Sequence, residues 1–143
     1  MRKVMSLILL FISIFSLSSC GIFKELMAET EKAKEYAIDF CDALSHDNLE
    51  LANTFIHFDS PINKTGLDKY ITTLESDNNV DFSNKVNLII CNDFESTYYT
   101  SEYNGSSFEF TFSSTIGSYR TYIYFVIINN DNGYGIYDFG FIK

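Results

Sequence analysis

Hydrophobic and polar positions divide this chain into three regimes. Val4 to Leu17 is apolar apart from Ser6, Ser13 and Ser16. From there to about Ser76 the apolar positions recur at spacings of three and four, the period of a helix with one buried face. From about Asn84 they alternate, the period of a half-buried strand.

The helical part resolves into three pieces. Gly21 to about Thr30 is a tether whose Ile22, Phe23, Leu26 and Met27 are more apolar than a free linker needs. A first helix starts at Lys24 or Thr30 and runs to Ser45. Its buried face is Ala33, Tyr36, Ala37, Phe40, Cys41 and Leu44, with Asp39 and Asp42 facing outward. His46-Asp47-Asn48 breaks it. Asp47 with Glu50 has the form of a capping box opening a second helix over Leu49–Phe58, with Leu51, Ala52, Phe55 and Phe58 as its buried stripe. Ser60 to Lys64 is expected as a loop because Pro61 cannot continue a helix. Thr65 then caps a third helix, with Asp68 in its first turn and Leu67, Ile71 and Leu74 inward beside Tyr70.

The alternating part predicts four to five strands. Val86, Leu88 and Ile90 alternate with Asn87, Ile89 and Cys91, and a second strand covers roughly Ser96 to Tyr103. Asn104-Gly105 suits a tight hairpin turn with positive φ at both positions. Phe108, Phe110 and Phe112 alternate with Glu109, Thr111 and Ser113, the pattern of a strand buried on one face. Gly117-Ser118 is the next turn. Tyr119 to Ile128 is apolar on both sides, so a central strand covered twice is expected. After Asn129 to Gly133 a last strand, Tyr134 to Ile142, sets Tyr137, Phe139 and Phe141 on one side. Helices first and hairpin-linked strands after them predict an α+β fold, with N-terminal helices packed on a curved antiparallel sheet.

Charge narrows the classes of function. The formal net charge is −9. Removing Arg2 and Lys3 with a leader leaves 8 − 19, or −11. Such a surface repels phosphate backbones, which excludes nucleic acid as a partner. Fourteen Phe and ten Tyr with a single Pro suggest an AT-rich genome, so aromatic richness alone carries no functional signal. Cys41 and Cys91 are open to two readings, a disulfide outside the cytoplasm or two free core thiols. His46 in a turn and His57 at the end of the second helix are expected to be exposed or capping. Asp138, between Tyr137 and Phe139, is expected to face outward between two inward rings. No catalytic set, metal-ligand spacing or cofactor motif emerges, so no catalytic residue, metal or cofactor is assigned.

The opening run is too short to span a membrane. As a helix it reaches roughly 21 Å at ~1.5 Å per residue, against a hydrocarbon core of about 30 Å. A charged start, a short apolar core and small residues before a cut describe a secretory signal peptide. Leu17-Ser18-Ser19-Cys20 resembles the lipobox of bacterial lipoproteins. The resemblance implies cleavage between Ser19 and Cys20 and a diacylglyceryl group on the Cys20 sulfur. It divides the chain into a signal peptide (residues 1–19), a lipidated tether (20–29) and one α+β domain (30–143). It also implies a lipid-anchored protein of a bacterial cell envelope. Gly21 rather than Asp after the cysteine favours the outer membrane where the host has one, facing periplasm or exterior.

The order of elements carries a second resemblance. Three helices, the third led by Thr65-Gly66-Leu67-Asp68-Lys69-Tyr70-Ile71, precede long antiparallel strands that end the chain. This looks like the nuclear transport factor 2-like superfamily, a cone in which a curved sheet wraps around helices. It is similar in particular to small bacterial lipoproteins with such a domain. The rival is a cystatin-like layout with one long helix, and helices in both Leu49–Phe58 and Thr65–Glu75 separate the two. Two functions follow as expectations. One is a non-enzymatic binding module whose partner is another envelope protein. The other is a small-ligand carrier or enzyme using a cone cavity lined by Tyr36, Phe40, Phe55 and Phe110.

Overall fold

The computed structural model describes residues 24–25 and 27–142. The signal peptide, the cleavage point between Ser19 and Cys20, the lipid-accepting Cys20, and Ile22, Phe23 and Leu26 of the tether lie outside the described residues. The chain divides into two compact units, residues 1–32 and 33–143. In the first, residues 24–25 and 27–32 are helical. The second is an α+β unit of helices and one open antiparallel sheet. Among the described residues no helix is long and apolar enough to cross a membrane.

Helix α1, residues 33–45, buries Ala33, Ala37, Phe40, Cys41, Ala43 and Leu44, while Asp39 and Asp42 are exposed. It ends in a six-to-one closure. The Asp47 N–H donates to Leu44 O (2.9 Å) and the Asn48 N–H to Ala43 O (3.0 Å), with Asp47 left-handed at φ 53°. This is the Schellman geometry, with Asp in the place usual for Gly. It corrects the expected capping box, because Asp47 is committed to closing α1. Asn48 instead caps α2 (Leu49–Thr54), its side chain accepting from the Leu51 N–H at 3.0 Å.

Helix α2 stops four residues before Phe58. Only Ala52 of the expected stripe is fully buried; Leu51 is exposed and Phe58 is 77 % exposed. The reason is a tertiary hydrogen-bond pair. The chain turns out of the helix so that the His57 N–H donates to Ile136 O and the Ile136 N–H to Phe55 O, both at 2.8 Å. Ser60 to Lys64 is not a plain loop either. Pro61 sits at the start of a one-turn helix, α3 (Ile62–Thr65), where its missing N–H has no intrahelical role. Ser60 Oγ accepts from the Ile62 N–H and donates to Tyr137 O. Thr65 closes α3, and Gly66 rather than Thr65 precedes α4 (Leu67–Asn78). Leu67 and Ile71 are buried on α4, with Tyr70 and Leu74 half-buried.

The sheet is a four-stranded meander in the order β1-β2-β3-β4. The two predicted segments before residue 104 form one strand, β1 (Val86–Thr100), irregular at three points along its pairing with β2 (Gly105–Ile116). The connecting turn has four residues, 101–104, and only Asn104 has positive φ. Gly105 is already strand, paired with Thr100 and Asn130, and a Cβ there would collide with the Asn129 carbonyl. Its glycine therefore serves close packing, not the turn. β3 (Tyr119–Asn130) is central, but its outer face is only partly covered, with Tyr122 half exposed. In β4 (Gly133–Phe141) the pairing shifts between Val126 and Ile127, and Tyr137 has no partner in the register. Ile136 and Phe139 are thereby buried together, and Tyr137 leaves the row expected for it.

The core lies between the helices and the inner sheet face. Phe108, Phe110, Phe112, Ile123, Phe125, Ile127, Ile136 and Phe139 supply the sheet side. Phe40 of α1 meets Phe139 edge-on at 4.8 Å and Phe125 at 6.4 Å. Each buried ring contributes on the order of 2–3 kcal/mol, and the edge-on geometry adds a smaller increment.

Candidate functional site

The outer margin of the sheet has the most exposed apolar surface among the described strands. β1 is an edge strand, with β2 on one side and no described strand on the other. Its pairing shifts between Leu88 and Ile90, between Cys91 and Asp93, and between Thr97 and Thr100. Such bulges twist an edge and discourage indiscriminate strand pairing. The stretch Asp93–Thr97 between them keeps a regular register.

That stretch is acidic and flanked by rings. From Val86 to Tyr119 the sequence has no Lys or Arg, and Asp93, Glu95, Glu102 and Glu109 are its charged residues. All four are exposed. Glu95 stands directly opposite Glu109 in the β1–β2 register, a like-charge placement that weakens a sheet. Asp93, Glu95 and Glu109 share a recess of about 280 Å³ with Phe110, Tyr124 and Val126. Sites for small ligands run from roughly 300 to 1,000 Å³, so this recess suits one side chain. Phe94 stacks on Phe110 at 5.0 Å, while Tyr98 is 92 % exposed and Tyr99 is exposed beside it. Burial first, then the charges of Glu102 and Glu109, push the Tyr103 hydroxyl up to about 12. The other end of this surface is a cleft of about 550 Å³ of mixed character, with Ile89, Ile90, Tyr122 and Ile142 beside Arg120, Ser113, Ser114 and Thr121. Chemically, the surface can hold a cation between carboxylates, cover it with rings and offer strand backbone beside it.

Two other polar groupings stand apart from it. His57 is 2 % exposed, not the exposed or capping residue expected. Its Nδ1 accepts from the Asp59 N–H and its Nε2 lies 3.0 Å from Gly133 O, so Nε2 is the donor and the ring is a structural link. Gly135 lets this segment pass, since a Cβ there would lie 2.9 Å from His57 Cα and N. His46 is exposed in its turn, as expected, with Nδ1 2.8 Å from Asp42 O.

Asp138 is half-buried, and two phenols reach it. Tyr70 Oη lies 3.0 Å from Oδ1 and 2.7 Å from Phe139 O, and Tyr124 donates to Oδ2 at 3.0 Å. Burial and then the Asp138 charge push the Tyr124 hydroxyl up to about 12 and the Tyr70 hydroxyl higher still. Both phenols therefore stay protonated near neutral pH and act as donors, Tyr70 fastening α4 to β4 and Tyr124 bracing β3 against β4.

The remaining sequence candidates are distributed through the core. Tyr36 packs edge-on against Phe55 at 5.2 Å and Tyr134 at 4.8 Å. Phe40 belongs to the Phe125–Phe139 group, and Phe110 lies between Phe94 and Phe112. The structure thus joins Tyr36 to Phe55 and places Phe40 and Phe110 in separate ring contacts. Cys41 and Cys91 are free thiols. Burial, and then Asp42, push the Cys41 thiol up; burial also raises that of Cys91, whose Sγ lies 3.2 Å from Asp93 O. Among the described residues no three His, Cys, Asp or Glu side chains are grouped to hold a metal. The sequence reading missed the β1 surface, although the cation-free run from Val86 to Tyr119 was a legible signal. No family model, no curated protein and no solved structure matches the chain.

Proposed function

We propose that this chain is a lipid-anchored protein of a bacterial envelope whose folded part is a non-enzymatic binding module. The observation that carries the anchor is Leu17-Ser18-Ser19-Cys20 at the end of a short, positively flanked apolar run. A thiol there is the nucleophile that takes the diacylglyceryl group. One acyl chain binds a membrane marginally and two hold it stably, at about 0.8 kcal/mol per buried CH₂. The acidic domain then needs no membrane-binding face of its own, which frees its exposed surface for a protein partner. Gly21 rather than Asp after the cysteine favours the outer membrane where the host has one.

The same reading takes the sheet to curve around the helices as in the nuclear transport factor 2-like superfamily. Separate helices α2 and α4 ahead of the meander support it over a layout with one long helix. The irregularities of β1 and β4 support curvature, because bulges bend the strands that carry them.

The test of the anchor is metabolic labelling with a fatty acid in a bacterial host, followed by membrane fractionation. The parent chain is expected to take the label and sediment with membranes. Cys20→Ser is expected to lose the label and leave the membrane fraction in its processed or secreted form. An unlabelled parent, or a serine variant as firmly membrane-bound as the parent, refutes the proposal.

A further inference from the structure

We infer that the outer margin of β1 docks an extended, arginine-bearing segment of a partner polypeptide; this rests on the binding-module reading and gives its partner a chemistry. Three observations converge on Asp93–Thr97. It lies on the edge strand, it keeps a regular register between two bulges, and it carries exposed Asp93 and Glu95. A strand laid beside it has backbone to pair with over a short length only, so its side chains must supply the selectivity. Glu95 and Glu109 face each other across the β1–β2 register, within a stretch of sequence, residues 86–119, that has no Lys or Arg. An arriving cation relieves that repulsion.

The occupant is selected by charge and shape. A recess of about 280 Å³ walled by Asp93, Glu95 and Glu109 accepts one long cationic side chain. A guanidinium fits better than an ammonium because it bonds carboxylates through a planar fork and stacks on aromatic faces. Tyr98 and Tyr99, exposed farther along the same edge strand, offer such faces. A second copy of this chain is a poor occupant, since it brings the same acidic strand and a net charge of −9. Nucleic acid is repelled for the same reason.

The test uses the full processed chain in a zwitterionic detergent and a short, end-blocked, fluorescent peptide of alternating Arg and Thr. Alternation places every Arg on one face of a strand. Fluorescence anisotropy is expected to show binding that weakens with ionic strength, and a peptide with Gln for Arg is expected not to bind. The double variant E95Q/E109Q, exposed and nearly isosteric, is expected to bind about tenfold or more weakly, the loss of charge-assisted hydrogen bonds. It is also expected to melt at or above the parent temperature, because a repulsive pair is gone. Tyr98→Ala, at a position with almost no intramolecular cover, is expected to weaken binding with the fold intact. The inference is overturned if the Arg peptide fails to bind at low salt, or binds parent and double variant alike. Self-association of the parent abolished by E95Q/E109Q also overturns it, assigning the surface to a second copy. Failure here with Cys20-dependent anchoring intact removes only the docking chemistry; failure of the anchor removes the envelope reading whatever the peptide does.

Discussion

Five hydrogen bonds converge on His57. Its N–H donates to Ile136 O, its carbonyl accepts from the Ser60 N–H and from Asn63 Nδ2, and its two ring nitrogens meet the Asp59 N–H and Gly133 O. His57→Ala removes the two ring bonds, leaves the Asp59 N–H and the Gly133 carbonyl without their ring partner, and opens a void where the buried imidazole sat. A loss of about 2–4 kcal/mol is expected, read as a lower urea midpoint with an unchanged slope. His57→Gln, which retains a donor and an acceptor, is expected to recover part of it. Nothing in Ile56-His57-Phe58 announced this role, because the Nε2 partner is 76 residues away. A local reading weighs a histidine by its neighbours, and here the decisive neighbours arrive from β4. Asp138 shows the same limit in milder form. Its position between two aromatics was visible, but its two phenol donors come from α4 and β3.

Element boundaries were set by competition for the same residues. Asp47, Thr65 and Gly105 each had a sound local assignment, and each was displaced by one position or one role. Asp47 closes α1, so Asn48 caps α2; Gly105 packs against β3, so the turn lengthens. The element most exposed to this competition is the Ser60–Pro61 corner, tied to the β3–β4 turn through Asp59. Asp59 accepts from Asn130 Nδ2 at 2.9 Å and from Asn132 Nδ2 at 3.0 Å. The Asn132 bond first, then the Asn130 bond, hold its carboxyl below the ordinary value of 3.8. The folded state thus prefers the ionised form. Its contribution is present at neutral pH and is lost as pH falls below the ordinary carboxylate range. Asp59→Asn is therefore expected to lower the melting temperature at neutral pH and to converge on the parent below about pH 4, which flattens the acid limb of the profile. An unchanged acid limb shows that the clamp does not couple the two elements.

At the scale of the whole molecule, charge and core pull in opposite directions. A net charge of −9 on 143 residues, with 19 acidic side chains against 10 basic, makes the folded state repel itself. The Phe-rich core offsets this. Screening over about 10 Å at 0.1 M salt weakens repulsion between surface carboxylates and leaves buried ring contacts unaffected. The melting temperature is accordingly expected to rise as sodium chloride is added from a low-salt buffer, in a thermal scan followed by far-ultraviolet circular dichroism. E95Q/E109Q is expected to show a smaller rise, since the cross-strand Glu95–Glu109 pair is already neutral. A melting temperature that falls with salt places net attraction, not repulsion, among the surface charges.

The sequence by itself determined the helix-then-strand order, the α+β class, the Phe108–Phe110–Phe112 inner face and the hairpin at Gly117-Ser118. These rest on periodicity and turn chemistry, which are properties of neighbours along the chain. Only the tertiary structure decided that β1 is one long edge strand, that α2 stops at Thr54, that His57 is buried and that Asp138 receives two phenols. Those outcomes depend on hydrogen bonds and contacts between segments far apart in the chain, where a buried polar group must find a partner and an edge strand is left without one.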